Sequence, residues 1–151
     1  MEQQSYFYET RIEWAGKRRG ALRSEGLPEL TVSTPPEFHG EPGFWSPEHL
    51  FVAAAEACLM ATFLAIAEKS RIRVAQYRSV ARGRLEPVSD AGLLFTEIQI
   101  VPAVEMESVE DIERGRRIME KAAKNCLIAN SIGARVVVEP IFSVKKMESA
   151  A

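Results

Sequence analysis

The segment from Pro47 to Lys69 constrains this chain more than any other. Its sequence, PEHLFVAAAEACLMATFLAIAEK, is apolar on almost every face of a helix. Ser46 and Pro47 suit a helix start, and Glu48 suits the positive end of the helix dipole. A helix without a polar face is surrounded by protein, either in the centre of a domain or against another helix or subunit. One sheet of the size that this chain allows cannot cover it alone.

Strands are predicted on both sides of this helix, and a second helix begins at Ser108. Hydrophobic alternation and turn residues predict the strand boundaries. The predicted strands span residues 5–14, 20–24, 29–33, 76–86, 92–101 and 134–144. This order is an α+β pattern rather than a βαβ alternation, and it includes neither a phosphate loop nor a dinucleotide fingerprint.

One domain is expected for residues 1–151, because a chain of this length buries roughly 70% of the surface that its unfolded form exposes. Lys and Arg number 19 against 21 Asp and Glu, without the basic excess that is typical of nucleic-acid binding. No uninterrupted run of about 18 apolar residues and no signal-peptide pattern is present. We therefore expect a soluble cytoplasmic protein without nucleic-acid or membrane partners.

The residues able to carry chemistry are few. His39, His49, Cys58 and Cys126 lack the short spacings of a metal site, so neither a metal nor a cofactor is expected. Without a secretory signal, a structural disulfide is disfavoured, which leaves buried free thiols or a redox pair. Burial disfavours a thiolate, so a reactive Cys58 needs a cation nearby.

Two charged features have more than one interpretation. The run from Lys17 to Arg19 lies between two glycines, and on composition alone it is a solvated hairpin tip. Glu56 lies within the apolar helix. It either pairs with a cation across an interface or reaches the one solvent-exposed edge of the helix. His49 is expected at the surface.

A longer motif carries a family resemblance. Ser46-Pro47-Glu48-His49-Leu50, an alanine-rich stretch and Cys58, ten positions after Glu48, resemble a pattern of the OsmC/Ohr family. This family comprises the osmotically induced protein C and organic hydroperoxide resistance proteins. The Gly16–Gly20 turn and the run from Leu30 to Gly40 are also similar, and Cys126 falls where the second family cysteine belongs. The resemblance covers essentially the whole chain and points to the OsmC-like branch.

The resemblance implies a fold and an activity. The implied OsmC-like fold has antiparallel sheets packed around a long buried central helix, in an intertwined homodimer with active sites at the subunit interface. The implied activity is a thiol-dependent peroxidase that reduces organic hydroperoxides to alcohols. Cys58 would be the peroxidatic cysteine and Cys126 the resolving one. An external dithiol, which in the family can be a lipoylated protein, would reduce the resulting disulfide.

The resemblance also implies a cation from the first hairpin, held by Glu48. Counted back from Pro35, the family's arginine falls on Lys17, and Arg18 or Arg19 takes the role after a small register shift. We favour Arg18 over Lys17, because an arginine fork can hold a thiolate and a carboxylate together. Glu48 and Cys58 are ~15 Å apart along one helix. At least part of each site is therefore expected from the other subunit.

Other residues leave the function open. Phe44, Trp45, Phe51 and Met60 are candidates for an apolar substrate pocket, although aromatic residues at such positions also pack in a core or a dimer interface. Leu127 follows Cys126 where the peroxidase branches commonly have proline. An alternative function is therefore a weakly active or non-catalytic dimer that senses redox state or binds a small apolar ligand. A structural dimer with inert thiols is a third possibility.

Overall fold

The computed structural model describes residues 3–147, in two units of which the first ends at Phe51 and the second begins at Val52. A single domain over residues 1–151 stays a prediction.

The first unit contains a three-stranded antiparallel sheet in the order β1, β2, β3. Its strands are β1 (Arg11–Trp14), β2 (Arg19–Arg23) and β3 (Leu30–Ser33). Gly16 and Lys17, with φ angles of 93° and 48°, lie in the turn between β1 and β2. The first strand is shorter than the predicted 5–14, because β2 ends opposite Arg11 and leaves residues 5–10 without a strand to pair with.

The long helix, α1, spans Pro47–Lys69 as predicted. The buried Ser46 caps it, because its Oγ accepts a hydrogen bond from the His49 N–H at 3.2 Å. The buried stripe of α1 consists of Ala55, Leu59, Phe63 and Ala67. An opposite, exposed stripe consists of Ala54, Ala57, Ala61, Leu64 and Ala65. The single chain thus covers one stripe of the helix, and burial of the rest against another helix or subunit stays a prediction.

The length and composition of α1 are also those of a helix that can cross a membrane, with a mean hydropathy of 2.1 over its most apolar window. Of this window, 22% is buried in the structure. The core helices of soluble proteins reach the same length and hydropathy, so this feature alone does not separate a membrane span from a helix that protein covers.

The second unit contains a sheet built on two 15-residue antiparallel strands, β4 (Val74–Val88) and β5 (Gly92–Met106). Two short strands, β6 (Arg135–Val138) and β7 (Ile141–Val144), pair with β5 in parallel. The predicted strand 134–144 is thus divided, because Pro140 has no N–H to continue a ladder. The prediction of purely antiparallel sheets is wrong for this unit, whose sheet is mixed.

α1 packs on this sheet through Phe63 and through a glycine. The Phe63 ring is fully buried, and its centroid lies 5.7 Å from that of Tyr77 on β4 and 6.3 Å from that of Phe142 on β7. At Gly83 the helix and sheet approach closely, since a Cβ there would lie 2.5 Å from a methyl group of Val52. Gly83 therefore sets how near the helix can lie to the strand.

Two helices connect β5 to β6. A 3-10 turn over Val109–Asp111, capped by Ser108, leads into α2 (Ile112–Asn125). The buried stripe of α2 consists of Gly115, Ile118, Met119 and Ala122. A short helix that was not predicted, α3 (Leu127–Ser131), follows after Cys126. Cys126 has an extended backbone, with φ −68° and ψ 111°, and separates the two helices.

Candidate functional site

The structure brings Cys58 and Cys126 together in the second unit. Cys58 is presented by α1, and Cys126 lies at the junction of α2 and α3. Both cysteines are free thiols, and their side chains are close enough for each to shift the pKa of the other. Cys126 is 2% exposed, whereas Cys58 is partly accessible. The thiol that is open to a reactant is therefore Cys58.

Backbone amides at the start of α3 act on the pKa values of both thiols. The N–H groups in the first turn of a helix have no partners within the helix. Hydrogen bonding by the Ile128 and Leu127 amides lowers the pKa of Cys58, and hydrogen bonding by the Ala129 and Ile128 amides lowers the pKa of Cys126. The 126–129 segment thus places backbone donors around a pair of neighbouring thiols.

These contacts make the two thiols unequal. Burial raises the pKa of the Cys58 thiol, but hydrogen bonds from the Ile128 amide, the Cys126 thiol, the Thr62 hydroxyl and the Leu127 amide outweigh burial, and its pKa is lowered. Burial also raises the pKa of Cys126, and its interactions with Cys58 raise that pKa further despite hydrogen bonds from two amides. Cys58 is therefore the member of the pair that ionises first.

Thr62 lies one helical turn after Cys58, and its hydroxyl oxygen is 4.0 Å from the Cys58 sulfur. The same hydroxyl donates a hydrogen bond to the Cys58 carbonyl oxygen at 2.8 Å. Because a hydroxyl has one proton to donate, Thr62 can serve the sulfur as a donor only when it leaves the carbonyl.

Within the run from Lys17 to Arg19, Arg19 has an acidic partner in the first unit. Its Nε lies 3.4 Å from Glu41 Oε1, and its guanidinium carbon is 5.9 Å from the centroid of the Phe44 ring. Arg18 and Lys17 are both exposed. Arg18 and Arg19 also line an open groove of about 470 Å³ between β1, β2 and the residues that follow β3. The structure thus pairs Arg19 with Glu41, and the prediction that Arg18 or Lys17 faces the thiolate and is held by Glu48 stays untested.

The other two acidic residues of interest, Glu48 and Glu56, differ in their partners. The Glu48 Oε2 atom is buried and has no hydrogen-bond partner within residues 3–147. Glu56 Oε1 accepts a hydrogen bond of 2.6 Å from Ser79 on β4, so it is bound within the chain. Burial raises the pKa of Tyr77 to about 12, and the negative charge of Glu56 contributes to this shift.

Of the predicted pocket residues, Phe44, Trp45 and Phe51 belong to the first unit and Met60 belongs to the second. Phe44 lies beneath Arg19, and Trp45 is half exposed with its ring edge-on to His49, at a centroid distance of 6.2 Å. Phe51 is half-buried, and Met60 is 39% exposed on α1. A substrate pocket formed by these residues stays a prediction. In the described part of the chain, no group of three His, Cys, Asp or Glu residues is arranged to hold a metal.

Sequence reasoning missed three participants: Thr62, Glu41 and the amides of α3. Thr62 follows Cys58 by four positions, which places it one turn away on the same helix, so its position was readable. Glu41 lies in an irregular loop whose path the sequence does not specify. The α3 amides carry no side-chain signal, since any residue except proline supplies an N–H.

The fold and the site define an α+β protein with two neighbouring thiols that differ in burial and in pKa. The family model described as "OsmC-like protein" matches residues 39–140, and the chain belongs to the OsmC-like family. This confirms the resemblance found in the sequence.

Related proteins support the same assignment. The chain is 25% identical over 145 residues to the uncharacterized protein YmaD of Bacillus subtilis, covering 93% of this chain and 95% of that protein. An OsmC-like protein of unknown function from Vibrio cholerae has a similar structure, with a TM-score of 0.84 and 26% identity over 91% of this chain and 100% of the other. An organic hydroperoxide resistance protein OsmC from Legionella pneumophila shares the fold, with a TM-score of 0.70 and 22% identity over 94% and 100% of the two chains.

Proposed function

We propose that this protein is a thiol peroxidase that reduces organic hydroperoxides to alcohols. The observation that carries the proposal is the polarised pair, in which the partly exposed Cys58 has a lowered pKa and lies beside a buried Cys126 thiol. A peroxidatic cysteine needs thiolate character and access to the peroxide. A resolving thiol needs only to be adjacent, and Cys126 meets that requirement.

The reaction follows from these roles. The Cys58 thiolate attacks the distal peroxide oxygen, the O–O bond breaks, and the alkoxide takes up a proton and leaves as alcohol. Cys58 becomes a sulfenic acid. The Cys126 thiolate attacks the sulfenic sulfur, which forms a disulfide and releases water. An external dithiol, such as a lipoylated protein, then reduces the disulfide and is itself oxidised. A cytoplasmic location agrees with this need for a reductant.

We also propose that the active form is a homodimer with sites at the subunit interface. Three features are left without a partner in the single chain, and a second copy would supply one. The exposed stripe of α1 is apolar, and the segment before β1 has large exposed aromatic side chains, including Phe7 at 92% and Tyr8 at 93%. The buried Glu48 Oε2 also needs a donor that residues 3–147 do not supply. A cation from the partner would satisfy it.

Arg19 is proposed for the cation role, because it is the half-buried member of the hairpin run and already holds a carboxylate. Arg19→Ala is expected to slow hydroperoxide reduction by about a hundredfold to a thousandfold, the range for loss of one electrostatic contact to a reacting group. Arg18→Ala is the matched control and is expected to retain most of the rate. A larger loss in Arg18→Ala than in Arg19→Ala would assign the role to Arg18 instead.

Stopped-flow oxidation of the reduced protein tests the function directly. We expect cumene hydroperoxide to oxidise the protein faster than hydrogen peroxide does, because the apolar surface of α1 around Met60 favours an organic group. Two thiols should be lost per chain, and mass spectrometry should identify a Cys58–Cys126 disulfide. Slow oxidation with both thiols retained would contradict the proposal and favour a ligand-binding or sensing dimer.

A further inference from the structure

A small, open cavity with a basic lining lies between the last turn of α1 and the first half of α2. Its volume is about 200 Å³, and it is lined by Ile66, Ser70, Arg114, Arg117, Ile118 and Lys121. Pockets that enclose a whole small molecule have volumes of roughly 300–1,000 Å³. The cavity therefore suits one charged group of a larger molecule.

Of the three cations in this lining, one is fixed and two are free. Arg114 Nη2 donates a hydrogen bond of 2.9 Å to the Ser70 carbonyl oxygen, and Arg114 Nη1 lies 3.4 Å from Asp111 Oδ1. Arg117 and Lys121 are exposed, and within residues 3–147 neither side chain has an ion-pair partner. Two positive charges thus remain available to an acidic partner.

The cationic lining continues along α2 as a basic stripe, because residues spaced three and four positions apart share one face of a helix. The basic stripe consists of Arg114, Arg117, Lys121 and Lys124. Its ten-residue span is ~15 Å long at the rise of an α-helix. The acidic residues Glu113 and Glu120 lie on a neighbouring face, where Glu113 pairs with Arg116 at 3.5 Å. Positive charge therefore prevails along the basic stripe.

The basic stripe leads from the cavity to the two thiols. Ile66 of the cavity follows Cys58 by eight positions, which is ~12 Å along α1. On α2, Lys124 precedes Cys126 by two positions. A protein that covers the basic stripe would therefore reach the thiol pair at one end and place an acidic side chain in the cavity at the other.

We propose that the basic stripe is the docking surface for an acidic protein that carries a dithiol and reduces the Cys58–Cys126 disulfide. The inference rests on the proposed peroxidase function, since that chemistry needs an external reductant. A protein fits this surface better than a small anion does, because the four cations extend over ~15 Å, whereas the cavity holds one charged group. Complementary charge would also speed the encounter of the two proteins.

Docking brings the dithiol to the disulfide, and the exchange is balanced. One thiolate of the reductant attacks a sulfur of the disulfide, the S–S bond breaks, and a mixed disulfide forms. The second thiol of the reductant then attacks the reductant's own sulfur in the mixed disulfide and closes a disulfide on the reductant. Two electrons and two protons pass from the dithiol to Cys58 and Cys126, which become thiols again.

The test measures how fast two dithiols reduce the disulfide after it has been formed with diamide, without any hydroperoxide. The probes are a reduced lipoylated domain with an excess of acidic residues, and dihydrolipoamide, which is small and uncharged. The double variant Arg117→Glu with Lys121→Glu should be reduced by the domain roughly tenfold to a hundredfold more slowly, since charge steering is lost. Dihydrolipoamide should reduce it at the rate of the unsubstituted protein.

Ionic strength gives a second measurement on the unsubstituted protein. Raising the salt concentration to about 1 M shortens the screening length to about 3 Å. Reduction by the acidic domain should then become slower, whereas reduction by dihydrolipoamide should not change.

Arg78→Glu with Arg82→Glu is the matched control, because it makes the same change in net charge. Both arginines are exposed on β4 and alternate with Tyr77, which faces α1, so they lie on the other face of the sheet. This control should keep the rate of the unsubstituted protein with both probes. Circular dichroism checks folding; if the glutamate pair at 117 and 121 does not fold, Arg117→Gln with Lys121→Gln should still slow reduction by the domain about threefold to tenfold.

Four outcomes would overturn the inference: no reduction by the acidic domain, an unchanged rate in the Arg117 and Lys121 variant, equal slowing in the Arg78 and Arg82 control, or equal slowing with dihydrolipoamide. If hydroperoxides do not oxidise the protein but the basic-stripe variant still reacts slowly with the domain, the proposed function fails and the docking surface stands. If hydroperoxides are reduced with dihydrolipoamide but the basic-stripe variant has no effect, the function stands and the docking surface fails.

Discussion

Replacing Cys58 with serine should reduce hydroperoxide consumption by about a thousandfold or more. A serine hydroxyl does not become an oxyanion near neutral pH, and loss of a covalent nucleophile removes the chemical step itself. The measurement is single-turnover oxidation by cumene hydroperoxide with a ferrous-xylenol orange readout of remaining peroxide. Cys58→Ser retains the shape of the α1 helix, so circular dichroism should be unchanged.

Cys126→Ser is the matched control, because it removes the other thiol of the same pair. This variant should consume one equivalent of hydroperoxide and then stop, with a sulfenic acid on Cys58 that dimedone traps. Turnover that persists in Cys58→Ser would contradict the peroxidatic role. A burst in Cys58→Ser, with no burst in Cys126→Ser, would exchange the two roles.

Replacing Phe63 with alanine should lower the free energy of unfolding by about 3–5 kcal/mol, the range for removing a buried aromatic ring. Phe63 is fully buried and joins α1 to two strands through Tyr77 and Phe142, so its loss leaves a cavity where the helix meets the sheet. Urea unfolding followed by circular dichroism measures the change. A loss below about 1 kcal/mol would mean that α1 does not pack on the sheet as described.

Leu64→Ala is the control on the same helix, because Leu64 is 36% exposed and belongs to the stripe that the single chain leaves open. In an isolated chain the substitution should cost less than about 1 kcal/mol. A dimer would bury this side chain, and the cost would then rise and the unfolding midpoint would depend on protein concentration. The pair of variants therefore also tests the proposed homodimer.

The difference between the two thiols bears on two positions, Lys17 and Leu127, at which the sequence departs from the family pattern. The leucine after Cys126 and the lysine at the hairpin position both weakened the peroxidase assignment when the chain was considered as a sequence. In the structure, hydrogen bonding by the Leu127 amide contributes to the lowered pKa of Cys58, and Arg19 Nε lies 3.4 Å from Glu41 Oε1. Neither departure removes a group that the proposed chemistry needs.

Several elements were predictable because their signals are local. The bounds of α1 follow from the Ser46 cap, Pro47 and an unbroken apolar run, and the structure has the helix at Pro47–Lys69. The β4–β5 hairpin follows from alternation on either side of a turn, which the structure has between Val88 and Gly92. The division of the last strand at Pro140 also has a local signal, since proline interrupts a ladder, although the sequence analysis predicts one strand over residues 134–144.

Non-local features were not predictable in the same way. Which strands pair with β5, and in which direction, depends on contacts between distant segments, so the parallel pairing of β6 and β7 had no signature in the sequence. The burial of α1 was likewise not predictable from the sequence. Composition shows that the helix is apolar, but only the packed chain shows that one stripe is covered and the other is left open.

By itself, the sequence determined the long apolar helix, the two cysteines and the family to which they belong, because helix signals and motif spacing are properties of neighbouring residues. The tertiary structure decided how the two thiols differ in burial and in pKa. The pKa of Cys58 depends on amides that α3 brings to it from nearly 70 positions away, and a backbone N–H leaves no mark on the sequence except where proline removes it.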